Sequence, residues 1–287
     1  VSESVRAACV IGWPIAHSRS PLIHNYWLEL YGIAGEYRRE AVPPDRFADF
    51  VTTLAARGYT GANVTVPHKE AALALSEPDD GARAVGAANT LWLDNGALRS
   101  TNTDVEGFLD NLDASAPDWD SDLGKAVVLG AGGAAHAVVY GLLSRGFERI
   151  VVVNRTRHRA EALRVRFGGR VQPADWNQRA SALGDAVLLI NATTLGMGPH
   201  HELAVDPSLL PGDAVVADLV YVPLMTPLLH AAQAAGLRTV DGLGMLLHQA
   251  VRGFALWFGK KPAVTADLRA LVEADLGPSA AKLRGIT

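Results

Sequence analysis

The stretch KAVVLGAGGAAHAVV, residues 125–139, carries the reading of the fold. Ala126–Leu129 is an apolar run of strand length. Gly130-Ala131-Gly132-Gly133-Ala134-Ala135 follows at once, and Gly133–Leu143 is a helix-forming series rich in Ala, Val and Leu. A strand that turns through glycines into a helix is where a dinucleotide pyrophosphate is held. Gly130 permits the tight turn and Gly132 lets the backbone come close to the anion. The helix start then offers free N–H groups and a partial positive charge. Ala135 stands where the last glycine of G-x-G-x-x-G would be, a position that needs only a small side chain. The competing reading is a Gly-rich strand–helix turn that binds nothing.

The following strand, Ile150–Asn154, sharpens the choice of nucleotide. It ends in Asn154-Arg155-Thr156-Arg157-His158-Arg159. An NAD site usually carries Asp or Glu there to bond the ribose 2′-hydroxyl. No acid is present, and arginine can pair bidentately with a 2′-phosphate that a carboxylate would repel. The turn therefore favours NADP; the alternative is a solvated basic turn. Ala186–Asn191, Ala214–Leu219 and Leu237–Val240 continue this β/α series. Leu243–Phe258 and Thr265–Leu276 read as final helices with no strand after them, expected to pack back on the first part of the chain.

Upstream, Ala7–Gly12, Glu36–Val42 and Gly61–Val66 read as strands. Pro21–Tyr31, Asp45–Arg57 and His68–Leu75 read as helices. Ala88–Leu93 and Ala97–Thr101 flank Asp94-Asn95-Gly96, a hairpin signal. Thr103 and Glu106 have capping-box spacing at the next helix. Ala114–Asp122, with Pro117, two Ser and three Asp, reads as a linker. Alternating β and α units predict mostly parallel sheets covered by helices. The fold class is thus α/β in two domains, and 287 residues suffice for two cores. A net charge of −4 gives no long-range attraction to nucleic acid or an anionic membrane. The single cysteine, Cys9, excludes a disulfide framework and reads as a buried strand residue. No signal peptide or membrane span is visible, so a cytoplasmic location is expected.

Three polar clusters in the first hundred residues exceed what a scaffold needs. In His17-Ser18-Arg19-Ser20-Pro21, Ser20 reads as an N-cap with Pro21 at N1, and two hydroxyls beside a helix start can also hold a carboxylate. In Gly61–Lys69, Asn63 and Thr65 share one strand face. Pro67 is read as beginning a helix with Lys69 in its first turn. A cation there runs against the helix dipole, an odd place for a surface lysine and a useful one for a proton-transfer group. In Asn102-Thr103-Asp104, Asp104 suits the first helical turn, a role capping alone would explain. Asn89 is either a turn residue or a hydroxyl-binding amide.

The motifs GWPIAHSRSPLIHN, GANVTVPHK, AANT, STNTDVEG, GAGGAA, NRTRHR, NATTLGM, DLVYVPLMTPLL and DGLGMLLHQ occur in this order from Gly12 to Gln249. Together they resemble the successive motifs of the shikimate dehydrogenase family. The resemblance implies an N-terminal substrate domain over residues 1–104, a Rossmann NADP domain over 105–242 and returning helices over 243–287. It implies NADPH-dependent, reversible reduction of 3-dehydroshikimate to shikimate. Lys69 and Asp104 match the catalytic pair. Ser18, Ser20, Asn63, Thr65, Asn89, Tyr221 and Gln249 match substrate-contacting positions. Gly130, Ala131, Gly132, Gly133, Ala134, Asn154, Arg155, Thr156, Arg159, Leu219, Gly242 and Met245 match cofactor positions, and Asp80 is aligned with another by its spacing from Asn89. Met245 and Gln249, four apart, can share a helix face that would otherwise be an ordinary buried stripe.

Two rival functions share these features: a quinate/shikimate dehydrogenase of broader range, and an inactive NADP-binding sensor. A metal enzyme has only His200-His201-Glu202 to recommend it, and that cluster reads as a surface loop without a ligand set. The expected partners are a small-molecule substrate and the cofactor, with a monomer or homodimer as the assembly.

Overall fold

The computed structural model describes residues 6–197 and 203–277; His200-His201-Glu202 and the tail after Gly277 lie outside them. The chain divides into two units. The first runs through Thr103 and adds Gln249–Val272, and the second runs Asp104–His248 and takes up the chain again at Glu273.

In the first unit, strands β1 (Arg6–Gly12), β2 (Gly35–Ala41), β3 (Tyr59–Val64), β4 (Glu77–Pro78), β5 (Thr90–Asp94) and β6 (Ala97–Thr101) form one sheet in the order β2-β1-β3-β5-β6-β4. β1 is parallel to β2 and β3, and β4 to β6, while β5 is antiparallel to both neighbours. After Arg6, β1 is buried throughout, as an inner strand should be. The hairpin expected at Asn95-Gly96 is present: both residues have positive φ, 51° and 83°, as a two-residue turn matched to strand twist requires.

Helices α1 (Ser20–Leu30), α2 (Phe47–Thr52), α3 (Lys69–Ala74) and α4 (Asp80–Val85) accompany the sheet. Three local expectations need correction. The residue capping α1 is Arg19, with Ser20 already helical. Pro67 precedes α3, whose N-cap is His68 and whose first residue is Lys69. The helix expected over Asp45–Arg57 stops at Thr52, where the hydroxyls of Thr52 and Thr53 bond back to Ala48 O (2.8 Å) and Asp49 O (2.6 Å). Such bonds compete with helix continuation.

In the second unit, β7 (Lys125–Leu129), β8 (Arg149–Asn154), β9 (Val171–Asp175), β10 (Ala186–Asn191), β11 (Val215–Asp218) and β12 (Arg238–Val240) form an all-parallel sheet in the order β12-β11-β10-β7-β8-β9. This is the doubly wound order, with its switch point between β7 and β10. Ala126 and Val128 feed one core and Val127 and Leu129 the other, because successive strand residues face opposite sides. Helices α5 (Asp104–Ser115), α6 (Gly133–Arg145), α7 (Arg157–Phe167) and α8 (Pro227–Ala234) belong here. β9 escaped the sequence reading because Pro173 lies within it; it is an edge strand, where proline is tolerated. The linker expectation for Ala114–Asp122 also fails. α5 continues to Ser115, and Trp119 is buried against Phe147 with its Nε1 donating to Asp113 Oδ1 at 2.8 Å.

The unit boundary at the far end falls inside α9 (Gly242–Phe258), between His248 and Gln249; α10 (Ala266–Asp275) follows. The final turns of α9 fill the first unit's aromatic core. Phe254 and Trp257 pack with His24, and Trp27 meets Phe254 edge-on. Trp257 Nε1 donates to Leu91 O at 2.8 Å across the space that Gly61 leaves: a Cβ there would meet the indole nitrogen at 2.0 Å.

Candidate active site

In the first unit, the loop after β1 brings Ser18 and Ser20 together at the start of α1. Their hydroxyls are 3.3 Å apart, and Ser18 Oγ also accepts the Ser20 backbone N–H at 3.3 Å. Ser18 therefore has a structural job that the sequence reading lacked. Arg39 pins the same loop through Ser18 O, at 2.7 and 3.0 Å.

Asn63, on β3, is almost wholly buried and oriented by three bonds. Its Oδ1 accepts the Tyr37 hydroxyl at 2.6 Å, and its Nδ2 reaches Thr90 Oγ1 at 3.1 Å and Asn89 O at 3.3 Å. Asn89 Oδ1 accepts the Thr103 N–H at 2.8 Å and the Thr90 hydroxyl at 3.1 Å, while Nδ2 reaches Gln249 Oε1 at 3.4 Å. Asn63, Asn89 and Gln249 are thus one cluster within the first unit, with their amides held in fixed senses. Thr65 lies just past β3, and the turn Thr65 O to His68 N–H (2.9 Å) delivers Lys69 to the start of α3. Lys69 is half-buried; its carbonyl accepts the Ala88 N–H at 2.9 Å, and His68 bonds Val42 O at 2.7 Å while stacking on Phe47. Asp80 is fully exposed on α4, 3.8 Å from Arg83.

In the second unit, Asp104 opens α5 and is 9% exposed, and Tyr221 and Met245 are half-buried. The Gly-rich turn sits at the switch point. Gly130 has φ +101°, and a Cβ would meet Thr193 Cγ2 at 2.8 Å and Ala192 O at 3.0 Å. A Cβ on Gly132 or Gly133 would meet nothing within 4 Å, so the open side of the turn is free for a ligand. α6 begins with no acidic residue in its first turn and no side-chain cap, leaving its N–H groups to an anion. At the end of β8, Asn154 Nδ2 holds Thr156 O at 2.8 Å. Arg157 is engaged by Asp175 (2.7 Å) and Glu161 (2.9 Å), whereas Arg155 and Arg159 make no ion pair among the described residues. Gly242 admits the Leu219 carbonyl, which a Cβ would meet at 2.4 Å.

Sequence reasoning gave Thr103 only a capping role and passed over Tyr37 and Thr90, which with it orient Asn63 and Asn89, and Asn191, Thr193, Asp218 and Thr226 at the carboxyl ends of β10 and β11. Asp218 is buried, and burial pushes its carboxyl up to about 6 against hydrogen bonds from Thr226, the Val220 N–H and Asn191. The available signal was a polar residue closing an apolar strand, as Asn191 and Asp218 both do. Among the described residues no group of three or more His, Cys, Asp or Glu is placed to hold a metal, and no helix is long and apolar enough to cross a membrane.

A doubly wound sheet with an open Gly-rich turn in one unit, and an ordered hydroxyl–amide cluster in the other, mixed α/β unit, define a two-unit α/β protein of the dinucleotide-binding class. Three family descriptions match: "Shikimate dehydrogenase substrate binding domain" over residues 10–91, "Shikimate / quinate 5-dehydrogenase" over 116–197 and "Shikimate 5'-dehydrogenase C-terminal domain" over 242–272. The NADP(+) shikimate dehydrogenase of Rhodopseudomonas palustris strain TIE-1 is 66% identical over 97% of this chain and 100% of its own. That of Nitrobacter winogradskyi is 65% identical over 94% and 97%. The shikimate 5-dehydrogenase of Thermus thermophilus, solved with NADP(H) and shikimate, superposes with a TM-score of 0.82 at 36% identity, over 94% of this chain and 99% of that one. The quinate dehydrogenase of Corynebacterium glutamicum, solved with NAD, gives 0.86 at 32% over the same shares. The chain belongs to the shikimate dehydrogenase family.

Proposed function

We propose that this protein catalyses reversible hydride transfer between NADPH and 3-dehydroshikimate, forming shikimate and NADP⁺. The observation that carries the reading is 66% identity, across nearly the whole of both chains, to an NADP-dependent shikimate dehydrogenase. The open face of Gly132 and Gly133, and Arg155 and Arg159, which make no ion pair among the described residues, support the choice of NADP.

In this proposal, the first unit supplies most of the substrate contacts. Ser18 and Ser20 hold its carboxylate. Asn63, Asn89, Asp104 and Gln249 bond the ring hydroxyls, with Thr65 and Tyr221 also in contact. The nicotinamide C4–H bond breaks and its electron pair moves with the hydrogen to the carbonyl carbon. The oxygen there gains negative charge, which Lys69 stabilises and quenches by giving its proton, and Asp104 orients both groups. Gly130 to Ala134 hold the pyrophosphate, Asn154 to Arg159 the 2′-phosphate end, and Leu219, Gly242 and Met245 the nicotinamide side, with Asp80 as a further cofactor contact. We place the enzyme in the cytoplasm, as a monomer or homodimer.

The test is nicotinamide absorbance with shikimate and NADP⁺. Lys69→Ala is expected to lower kcat by about 10²–10⁴ with substrate binding retained; near-normal turnover would remove the lysine from this role. The likeness to a quinate dehydrogenase favours one second reading, a broader substrate range. Turnover of quinate at a rate comparable to shikimate would establish it. NADPH binding without any turnover would point instead to a sensor.

A further inference from the structure

Asp218 ends β11 and is 1% exposed, yet the proposed chemistry has no use for it. Its Oδ1 accepts Asn191 Nδ2 at 2.8 Å and the Val220 N–H at 3.0 Å, and its Oδ2 accepts the Thr226 hydroxyl at 2.7 Å. These partners are all neutral, and no charged group contributes to holding the carboxylate ionised. A buried charge in neutral company is costly to keep, and burial accordingly pushes this carboxyl up to about 6. Folding by itself would favour the proton, so the carboxylate is kept against the preference of the fold.

Its bonds lead to the nucleotide turn. Asn191 Nδ2 also donates to Leu195 O at 3.0 Å, and Asn191 Oδ1 accepts the N–H and hydroxyl of Thr193 at 3.1 and 2.7 Å. Thr193 Oγ1 closes the loop by accepting the Leu195 N–H at 3.0 Å. Thr193 Cγ2 is then the atom that confronts Gly130, 2.8 Å from where a Cβ would stand. On the other side, Val220 follows Leu219, and Thr226 caps α8 by accepting the Leu229 N–H. One carboxylate therefore ties together the ends of β10 and β11 and the start of α8. This is the carboxyl edge of the sheet, beside the switch point where open α/β sheets bind their ligands.

We infer that Asp218 is a positioning residue for NADP: without touching the cofactor, it holds the Asn191–Leu195 loop, with Thr193 against Gly130, in place beside the Gly130 turn. The inference rests on the reading of that turn as the pyrophosphate site. The folding cost of a buried charge is offset by a cofactor site that is already shaped before the cofactor arrives.

The test is NADPH fluorescence titration, thermal melting and steady-state kinetics on the full chain at pH 8, for Asp218→Asn, Asp218→Ala, Thr226→Val and Gly132→Val. Asp218→Ala is expected to raise the NADPH dissociation constant about tenfold, with the KM for shikimate within twofold of wild type and kcat at saturating NADP⁺ little changed. Asp218→Asn should weaken NADPH by a smaller factor while melting at or above the wild-type temperature. Thr226→Val, which removes one bond and no bulk, should weaken NADPH in the same direction if Asp218→Ala does not fold. A lower melting temperature for Asp218→Asn, or equal losses in NADPH and shikimate affinity, would reduce Asp218 to a structural residue. Unchanged NADPH affinity in a folded Asp218→Ala or Thr226→Val protein would overturn the inference outright. Gly132→Val tells the two failures apart. A Cβ at this position meets nothing within 4 Å, so the variant should fold and lose NADPH. If it binds NADPH normally, the turn itself has been misread and the inference falls with it.

Discussion

At His24 an imidazole is enclosed by Tyr37, Trp27, Phe254 and Trp257, fully buried and stacked on Tyr37 at 4.1 Å. Neither ring nitrogen makes a hydrogen bond of good geometry. Burial lowers its pKa from 6.5 to about 3, with the Asn63 side chain opposing the shift. The folded protein thus binds this proton less readily than the unfolded chain. Its contribution to stability is complete above pH 6.5 and is lost as pH falls toward 3, by roughly 5 kcal/mol at full extent. We expect His24→Phe to move the acid-unfolding midpoint, followed by circular dichroism, to lower pH. An unchanged midpoint would mean that other groups control acid unfolding. At the cofactor end, Arg155 and Arg159 are the members of the basic turn that make no ion pair among the described residues. Each charge-assisted hydrogen bond is worth about 1.5–3 kcal/mol, so Arg155→Ala and Arg159→Ala should each weaken NADPH by about 10–100-fold and NADH hardly at all. Equal losses for both nucleotides would withdraw the 2′-phosphate from this turn. None of the motif signals revealed how His24 is buried, because GWPIAHSRSPLIHN shows a histidine on a helix and not the aromatic residues that α9 brings to it from more than 200 positions away.

Among the elements, α9 shows most plainly what periodicity can and cannot say. Its extent was readable from the apolar pattern, within one residue of the observed Gly242–Phe258. Its docking was not, since that depends on Gly61 lying opposite Trp257. A methyl on Gly61 would fall 2.0 Å from the indole nitrogen and 2.4 Å from Leu91 O. The latter is backbone and cannot yield. Gly61→Ala should therefore expel Trp257, break its bond to Leu91 and cost about 3 kcal/mol or more, seen as a fall in thermal midpoint and a red-shifted tryptophan emission. A melt within a degree of wild type would show that α9 can dock differently. β9 and α2 mark the opposite case. There local chemistry misleads: Pro173 argues against a strand that the sheet edge accommodates, and two threonine hydroxyls end a helix whose apolar pattern continues.

For the molecule as a whole, cofactor binding and folding are linked. A ligand that binds only the folded state stabilises it by about 2.7 kcal/mol at 100 times its dissociation constant. NADPH at that excess should raise the melting temperature by several degrees and NADH at the same concentration much less; identical shifts would argue that the basic turn does not discriminate. The sequence by itself determined the α/β class, the strand–turn–helix around Gly130, the absence of an acid after β8 and the order of the polar clusters, because each depends on neighbours a few residues apart. Tertiary structure alone decided that Ala116 and Trp119 of the expected linker enter a core, that Gln249 joins Asn89, and that Asp218 reaches Asn191 and Thr226. Those contacts join residues distant along the chain, and the free energy of burying a charge or an amide depends on what surrounds it in space.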